Sequence, residues 1–199
     1  MKLNLRKLVA VLRNISVLLE IKGENPFKSR AYANAANTIE EMGDEFLKEF
    51  ENGNIGKIKG FGEALQKKVM EFAETGSLTF YEKLISEIPE SLVEITKIST
   101  IGPKKAKLLY EKYGISNLDE LEQACLDNRI SQIKGFSLRS QEIILNSIHH
   151  KKSAKGKFLF DLIARDISQI KDFMAGSGVV DNLELTGGSR RFEETPRAI

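Results

Sequence analysis

Three glycine-punctuated pentapeptides carry the most legible chemistry in this chain. They are Ile58-Lys59-Gly60-Phe61-Gly62, Ile98-Ser99-Thr100-Ile101-Gly102 and Ile133-Lys134-Gly135-Phe136-Ser137, with leading isoleucines 40 and 35 residues apart. Each is a version of apolar–x–Gly–apolar–Gly set between helix-like stretches. Such a turn suits an anion. Its glycines can reach positive φ and leave the backbone open to a phosphate oxygen. The following helix starts at once, at Glu63, Pro103 and Leu138, and turns its free N–H groups and positive dipole end to the same point. Pro103 sits where a first helical turn tolerates proline. Lys104, Lys105 and Lys107 add positive charge beside the second copy.

A repeat of this form is the helix-hairpin-helix pattern. It grips backbone phosphates and reads no base edges, so binding is indifferent to base sequence. Gly60, Gly62 and Gly102 are the candidate contact positions, with Lys104 and Lys105 beside them. Thr100 replaces the first glycine of the second copy, and Ser137 replaces the last of the third. The first two hairpins are the expected phosphate sites; the third is expected to pack.

The elements around these turns are helical. In 199 residues there are 30 Lys+Arg, 28 Asp+Glu and a single cysteine, for a formal net charge of +2. The lone Cys125 excludes an internal disulfide framework and a cysteine-based zinc site. It falls one turn after Leu121 and reads as a core thiol. The near-balanced charge means that any nucleic-acid reading rests on where the charges sit. Leu5, Leu8, Val9, Leu12, Ile15 and Leu19 mark one face of an amphipathic first helix. Arg13, Asn14 and Glu20 interrupt that stretch, which argues against a membrane span or a signal peptide.

Pro26 suits the start of a helix over 27–42, and Asp119 and Glu120 favour the first turn of the helix carrying Leu121. His149 and His150 open a basic linker over 149–157. A further helix is expected over 158–173. Leu183-Glu184-Leu185-Thr186 then reads as a strand, the start of an α/β domain.

The order of these motifs resembles the N-terminal part of family X DNA polymerases, particularly the bacterial and archaeal forms. The segment from Glu24 to Tyr32 is similar to the helix leading into that family's small lyase-type domain. Lys59 to Phe72 with Thr75-Gly76-Ser77-Leu78 resembles the rest of it, and Ile98 to Ala106 resembles the second hairpin, in the fingers-type subdomain. Leu185-Thr186-Gly187-Gly188-Ser189-Arg190-Arg191, with Glu194-Thr195, resembles the approach to the palm.

The resemblance implies a small domain that grips the 5′-phosphate side of a gap and two hairpins that hold the flanking strands. It implies a monovalent cation, Na⁺ or K⁺, on hairpin carbonyls: Ile58 and Phe61 in the first, Thr96, Ile98 and Ile101 in the second. It implies that Arg191 meets the incoming nucleotide's phosphates. The family's Asp-x-Asp pair, which holds Mg²⁺, should follow Glu194-Thr195. Here Ala198 falls at the first aspartate, so the expectation is a truncated palm without nucleotidyl transfer and without Mg²⁺. A phosphohydrolase domain carried downstream by many microbial members would be missing too.

Family members can also remove 5′-deoxyribose phosphate through a lysine Schiff base, and the matching position is Lys68. Leu65, Val69 and Phe72 form an apolar stripe that Lys68 flanks by about 60° on a helix. A Schiff-base lysine acts as the neutral amine, which partial burial and cationic neighbours favour. Lys28 would be such a neighbour or a phosphate grip, and Tyr32 would line the pocket. Ala64 and Phe80 stand where animal lyase domains carry basic residues. Three roles stay open for Lys68: nucleophile, phosphate ligand, or a lysine whose stem covers the stripe edge.

The sequence therefore predicts a mainly α chain of helix-hairpin-helix units followed by the first helix and strand of a truncated nucleotidyltransferase palm. The boundaries fall at 1–88, 89–150 and 151–199. The expected function is sequence-independent binding of gapped, nicked or 5′-phosphate-ended DNA within a repair polymerase. The alternatives are an abasic-site lyase and a non-enzymatic DNA-binding adaptor. A cytoplasmic, nucleoid-associated monomer is the expected form.

Overall fold

The structure is a computed structural model that describes residues 3–154. These residues form helices α1 (Leu5–Lys22), α2 (Pro26–Met42), α3 (Asp44–Glu51), α4 (Glu63–Thr75), α5 (Thr79–Glu87), α6 (Ser91–Thr96), α7 (Pro103–Tyr113), α8 (Leu118–Leu126) and α9 (Leu138–Ala154). Short 3₁₀ turns, Ile55–Lys57 and Ile130–Gln132, precede the first and third hairpins. No strand occurs among the described residues. The expected helix over 158–173, the strand at 183–186, Arg191 and Ala198 lie outside them.

Residues 1–147 form one compact unit, and α9 runs past its boundary into a second that begins at Ile148. α1 is the central element of the first unit. Asn4 caps its start by accepting from the Lys7 N–H at 3.0 Å. Gly23, at φ 83°, ends it by donating its N–H to the Leu19 and Glu20 carbonyls. That left-handed turn is where glycine costs least. The turn returns the chain as α2, capped by Asn25 with Pro26 in its first turn.

α1 buries the expected face, with Leu8, Val9, Leu12, Ile15 and Leu19, and further residues beside it. Leu8, Leu12, Ile15, Leu18 and Leu19 are all fully buried, and Ser16 and Ile21 are buried as well, while Leu5 is only half-covered. The reason is that α1 packs against α2 and also against α5, α6 and α7. A helix covered on several sides is apolar around much of its circumference. α2 offers it small residues, Ala35 and Ala36, with Ile39.

The expected linker from His149 is also corrected. α9 continues through both histidines to Ala154. That stretch contains no glycine or proline, the residues that end helices most strongly. Among the described residues no helix is long and apolar enough to cross a membrane.

Candidate nucleic-acid interface

The three hairpins share one build. Ile55, Ile95 and Ile130 are buried at equivalent positions ahead of the turn, and Phe61, Ile101 and Phe136 are buried within it. The first and third copies match further than the pentapeptides show. Each has a positive-φ residue before its 3₁₀ turn, Gly53 at 71° and Asn128 at 57°. Each also has a glutamine in the first turn of the next helix, Gln66 or Gln141, hydrogen-bonded back to the loop. Sequence reasoning missed this longer repeat because Gly53 and Asn128 share no residue type. They share only a tolerance of the left-handed region.

The two motif glycines do different jobs. The first position is left-handed in all three copies: Gly60 at φ 92°, Thr100 at 74° and Gly135 at 98°. The second position is extended. Gly62 lies at φ −65°, ψ 169° and Gly102 at φ −98°, ψ 179°. The expectation that both glycines serve positive φ is thus corrected. Any residue can adopt the backbone of Gly62 and Gly102, and no protein atom lies within 4 Å of where their Cβ would stand. What their lack of a side chain leaves is open space over the start of a helix.

The helix starts differ in the same sense. α4 and α7 follow Gly62 and Gly102 at their N-cap positions, which make no side-chain capping bond. α9 is capped by its own serines. Ser137 Oγ accepts from the Ser140 N–H at 3.2 Å, and Ser140 Oγ accepts from the Ser137 N–H at 2.7 Å. This reciprocal pair engages the Ser137 and Ser140 N–H groups, two donors whose counterparts at the starts of α4 and α7 stay free of side-chain caps. The geometry thereby separates two open hairpins from one closed one.

Around the second hairpin lies a cleft of about 730 Å³, lined by Ser29 and Arg30 of α2 and by Thr100, Gly102, Lys104 and Lys105. Glu20 and Glu24 also border it. Lys104 is exposed and Lys105 half-buried. Lys105 Nζ donates to the Thr100 carbonyl at 3.0 Å and lies 4.6 Å from the centroid of the Phe136 ring.

The candidate cation carbonyls are spread over the two open hairpins. Ile58 O accepts from the Phe61 N–H at 3.0 Å, and Ile98 O accepts from the Ile101 N–H at 3.1 Å. Phe61 O accepts from Gln66 Nε2 at 2.8 Å. Thr96 ends α6, its hydroxyl turned back to the Val93 carbonyl at 2.8 Å. Each carbonyl oxygen has two lone pairs, so these donors keep capacity for a hard monovalent ion. No cluster of His, Cys, Asp or Glu among the described residues could hold a metal.

A second cluster forms on α2, α4 and α5. The rings of Tyr32 and Phe80 stack, 5.9 Å between centroids and 11° between planes. Lys28 Nζ and Lys68 Nζ each lie 5.1 Å from the centroid of Phe80. Tyr32 is 7% exposed, and burial pushes its hydroxyl up to about 12, so it stays protonated. Glu71 accepts from the Thr79 N–H at 2.7 Å and hydroxyl at 2.6 Å, which fixes the start of α5. Those bonds, with a smaller contribution from the Lys68 charge, hold its carboxyl below the usual range. Lys67, on the far side of α4, is exposed and pairs with Glu63 at 2.7 Å. Phe80 joins the two lysines, although the sequence showed it only as a departure from the basic residue of animal domains.

Two family descriptions match this arrangement. A helix-hairpin-helix domain matches residues 5–78, and a SAM-like helix-hairpin-helix tandem matches residues 92–146. The described part of the chain accordingly carries two helix-hairpin-helix domains. Over 190 residues, 96% of its length, the chain is 27% identical to the DNA polymerase/3'-5' exonuclease PolX of Bacillus subtilis (strain 168). The resemblance to family X polymerases read from the motif order is borne out by this match. The chain spans 33% of that relative's length.

Proposed function

We propose that this chain is the DNA-binding, N-terminal portion of a family X repair polymerase, holding gapped or nicked DNA by its backbone phosphates. The observation that carries the reading is the pairing of extended, unobstructed Gly62 and Gly102 with uncapped starts of α4 and α7. Two such helix ends offer N–H groups and dipole charge to two phosphates. Lys104 and Arg30 add positive charge at the second. Main-chain carbonyls of Ile58 and Phe61, and of Thr96, Ile98 and Ile101, would hold a Na⁺ or K⁺ that adds charge at each hairpin.

Gap recognition is assigned to the cluster of Lys28, Lys68, Tyr32 and Phe80. Its two ammonium groups around one ring suit a dianionic 5′-phosphate. The same cluster favours a second reading, an abasic-site lyase in which Lys68 forms the Schiff base. The neutral amine would attack the sugar aldehyde carbon with loss of water; the imine would then lose a C2′ proton to water and break its C3′–O bond, expelling the 3′-phosphate, and hydrolysis would free Lys68.

The test is a salt titration of the purified chain on gapped, nicked and intact duplexes of several sequences. Each neutralised phosphate contributes a log–log slope of about −0.9, so a few contacts give roughly −3 to −6. Affinity should change little with base sequence and should rise at a 5′-phosphorylated gap. A flat salt response, or strong preference for one sequence at constant gap structure, overturns the reading.

A further inference from the structure

Hairpin 2 is the one copy that places a β-branched residue in the left-handed region. Thr100 has φ 74° where the other copies have Gly60 and Gly135. A β-branched residue is an outlier there, and its neighbours must hold it. Lys105 is placed to do so. From the first turn of α7 it returns to the loop, donates to the Thr100 carbonyl at 3.0 Å and rests 4.6 Å from the ring centroid of Phe136. Phe136 belongs to the self-capped third hairpin and is 9% exposed.

We propose that Lys105 is a positioning residue: it braces the strained Thr100 turn against hairpin 3, so that hairpin 2 presents the first amides of α7 to a phosphate. The proposal rests on the reading of hairpin 2 as a phosphate grip. Comparison among the hairpins supports it. In the two copies with glycine at the turn, the returning side chain is a neutral amide one helix position later: Gln66 donates to Phe61 O in the first loop, and Gln141 accepts from the Ser131 N–H in the 3₁₀ turn ahead of the third. Where glycine is missing, the returning group is an ammonium, whose charge-assisted bond is the stronger kind.

The neighbouring lysine sharpens the contrast. Lys104 is exposed and free to follow a phosphate, whereas Lys105 is half-buried. A phosphate recruiting Lys105 would compete with both the Thr100 carbonyl and the Phe136 face. The third hairpin thereby gains a role without touching DNA. Its closed helix start and its ring make it a buttress for its neighbour.

The experiment uses the full chain and a gapped duplex carrying a 5′-phosphate. Lys105→Met keeps the aliphatic stem and removes the charge. It should lower affinity by about tenfold with the salt slope unchanged, because no phosphate contact is lost. Lys104→Met should make the slope shallower by about 0.9. Adding Thr100→Gly to Lys105→Met should restore most of the affinity, since glycine needs no brace. A slope that drops by one unit in Lys105→Met, without rescue by Thr100→Gly, makes Lys105 a phosphate ligand and overturns the proposal. Unchanged affinity in Lys105→Met overturns it too. A thermal double-mutant cycle on the same two positions reads the brace without DNA. Thr100→Gly should raise the midpoint more in Lys105→Met than in the parent, and additivity would refute the brace. If the parent fails to bind DNA, the phosphate-grip reading falls while this cycle still decides the brace.

Discussion

Lys28 and Lys68, forty residues apart on α2 and α4, bring their ammonium groups to one aromatic ring, each 5.1 Å from the centroid of Phe80. Two like charges meet here, each with one acid at hand: Glu24 pairs with Lys28 at 3.6 Å, and Glu71, held by Thr79, feels the Lys68 charge. The ring's negative face offsets part of the repulsion, at about 0.5–1 kcal/mol per exposed cation. Phe80→Leu should therefore weaken binding to a 5′-phosphorylated gap by about fivefold, the equivalent of about 1 kcal/mol. Phe80→Tyr should keep it. Competition between gaps with and without the 5′-phosphate measures this, and equal loss on both would remove Phe80 from phosphate selection.

The same cluster sets the lyase test. Borohydride reduces an imine to a stable amine, so an incised abasic duplex traps whichever lysine forms the Schiff base. Lys68→Ala should abolish any adduct trapped by the parent in EDTA and should also lower affinity for the 5′-phosphorylated gap. An adduct of undiminished yield in Lys68→Ala would assign the chemistry to another lysine.

Glycine substitutions divide by backbone. Gly60→Val forces a β-branched residue into φ 92° and should destabilise the fold by about 1–3 kcal/mol, read by thermal unfolding. Gly62→Val and Gly102→Val sit on extended backbone with no protein atom within 4 Å of the new Cβ. They should cost no more than about 1 kcal/mol of stability at these helix-cap positions. DNA affinity should nevertheless fall more than tenfold in both, since isopropyl groups would occupy the phosphate's approach. Binding like the parent's by the folded variants would reduce the hairpins to turns.

Helix starts were the most legible part of this fold. Glu63, Pro103 and Leu138 begin α4, α7 and α9 where the sequence placed them. A glycine or serine followed at once by an apolar stripe is a local signal, and local signals survive packing. What the sequence hid depends on tertiary neighbours. The extra buried faces of α1 reflect three helices that pack on it from later in the chain. Phe80 looked like a lost basic residue, because one sequence cannot show that α5 carries its ring between Lys28 and Lys68. Lys104 and Lys105 looked alike; the Thr100 carbonyl and the Phe136 ring of the next hairpin separate them. The roles of Gly60 and Gly62 were indistinguishable in letters and opposite in φ.

Cys125 was readable as a core thiol, and the structure buries it at 2% exposure on α8. Burial, with a smaller contribution from the nearby Glu122 charge, pushes the thiol up to about 11. The thiolate is the nucleophile, so the native chain should react with iodoacetamide at about pH 8 orders of magnitude more slowly than the unfolded chain. Mass spectrometry with and without denaturant reads this. Rapid native labelling would place Cys125 at the surface.

Glu71 supplies a pH dependence whose sign is fixed by its bonds. The Thr79 hydroxyl and N–H hold its carboxyl below the ordinary value of 4.5, assisted by the Lys68 charge. A carboxyl depressed in the folded state contributes stability above its unfolded value, and that contribution is lost as pH falls through the folded one. The loss is thus confined to acid, below the usual carboxylate range. Because Glu71 anchors the first residue of α5, its protonation also loosens the next residue, Phe80, and the ring that Lys28 and Lys68 share. Glu71→Gln should lower the thermal midpoint at neutral pH and converge with the parent in acid. It should also weaken binding to the 5′-phosphorylated gap several-fold at neutral pH. Thermal scans across the acid range measure the first effect and gap binding the second. A midpoint difference that stays constant with pH would show that the carboxylate charge contributes nothing beyond its hydrogen bonds.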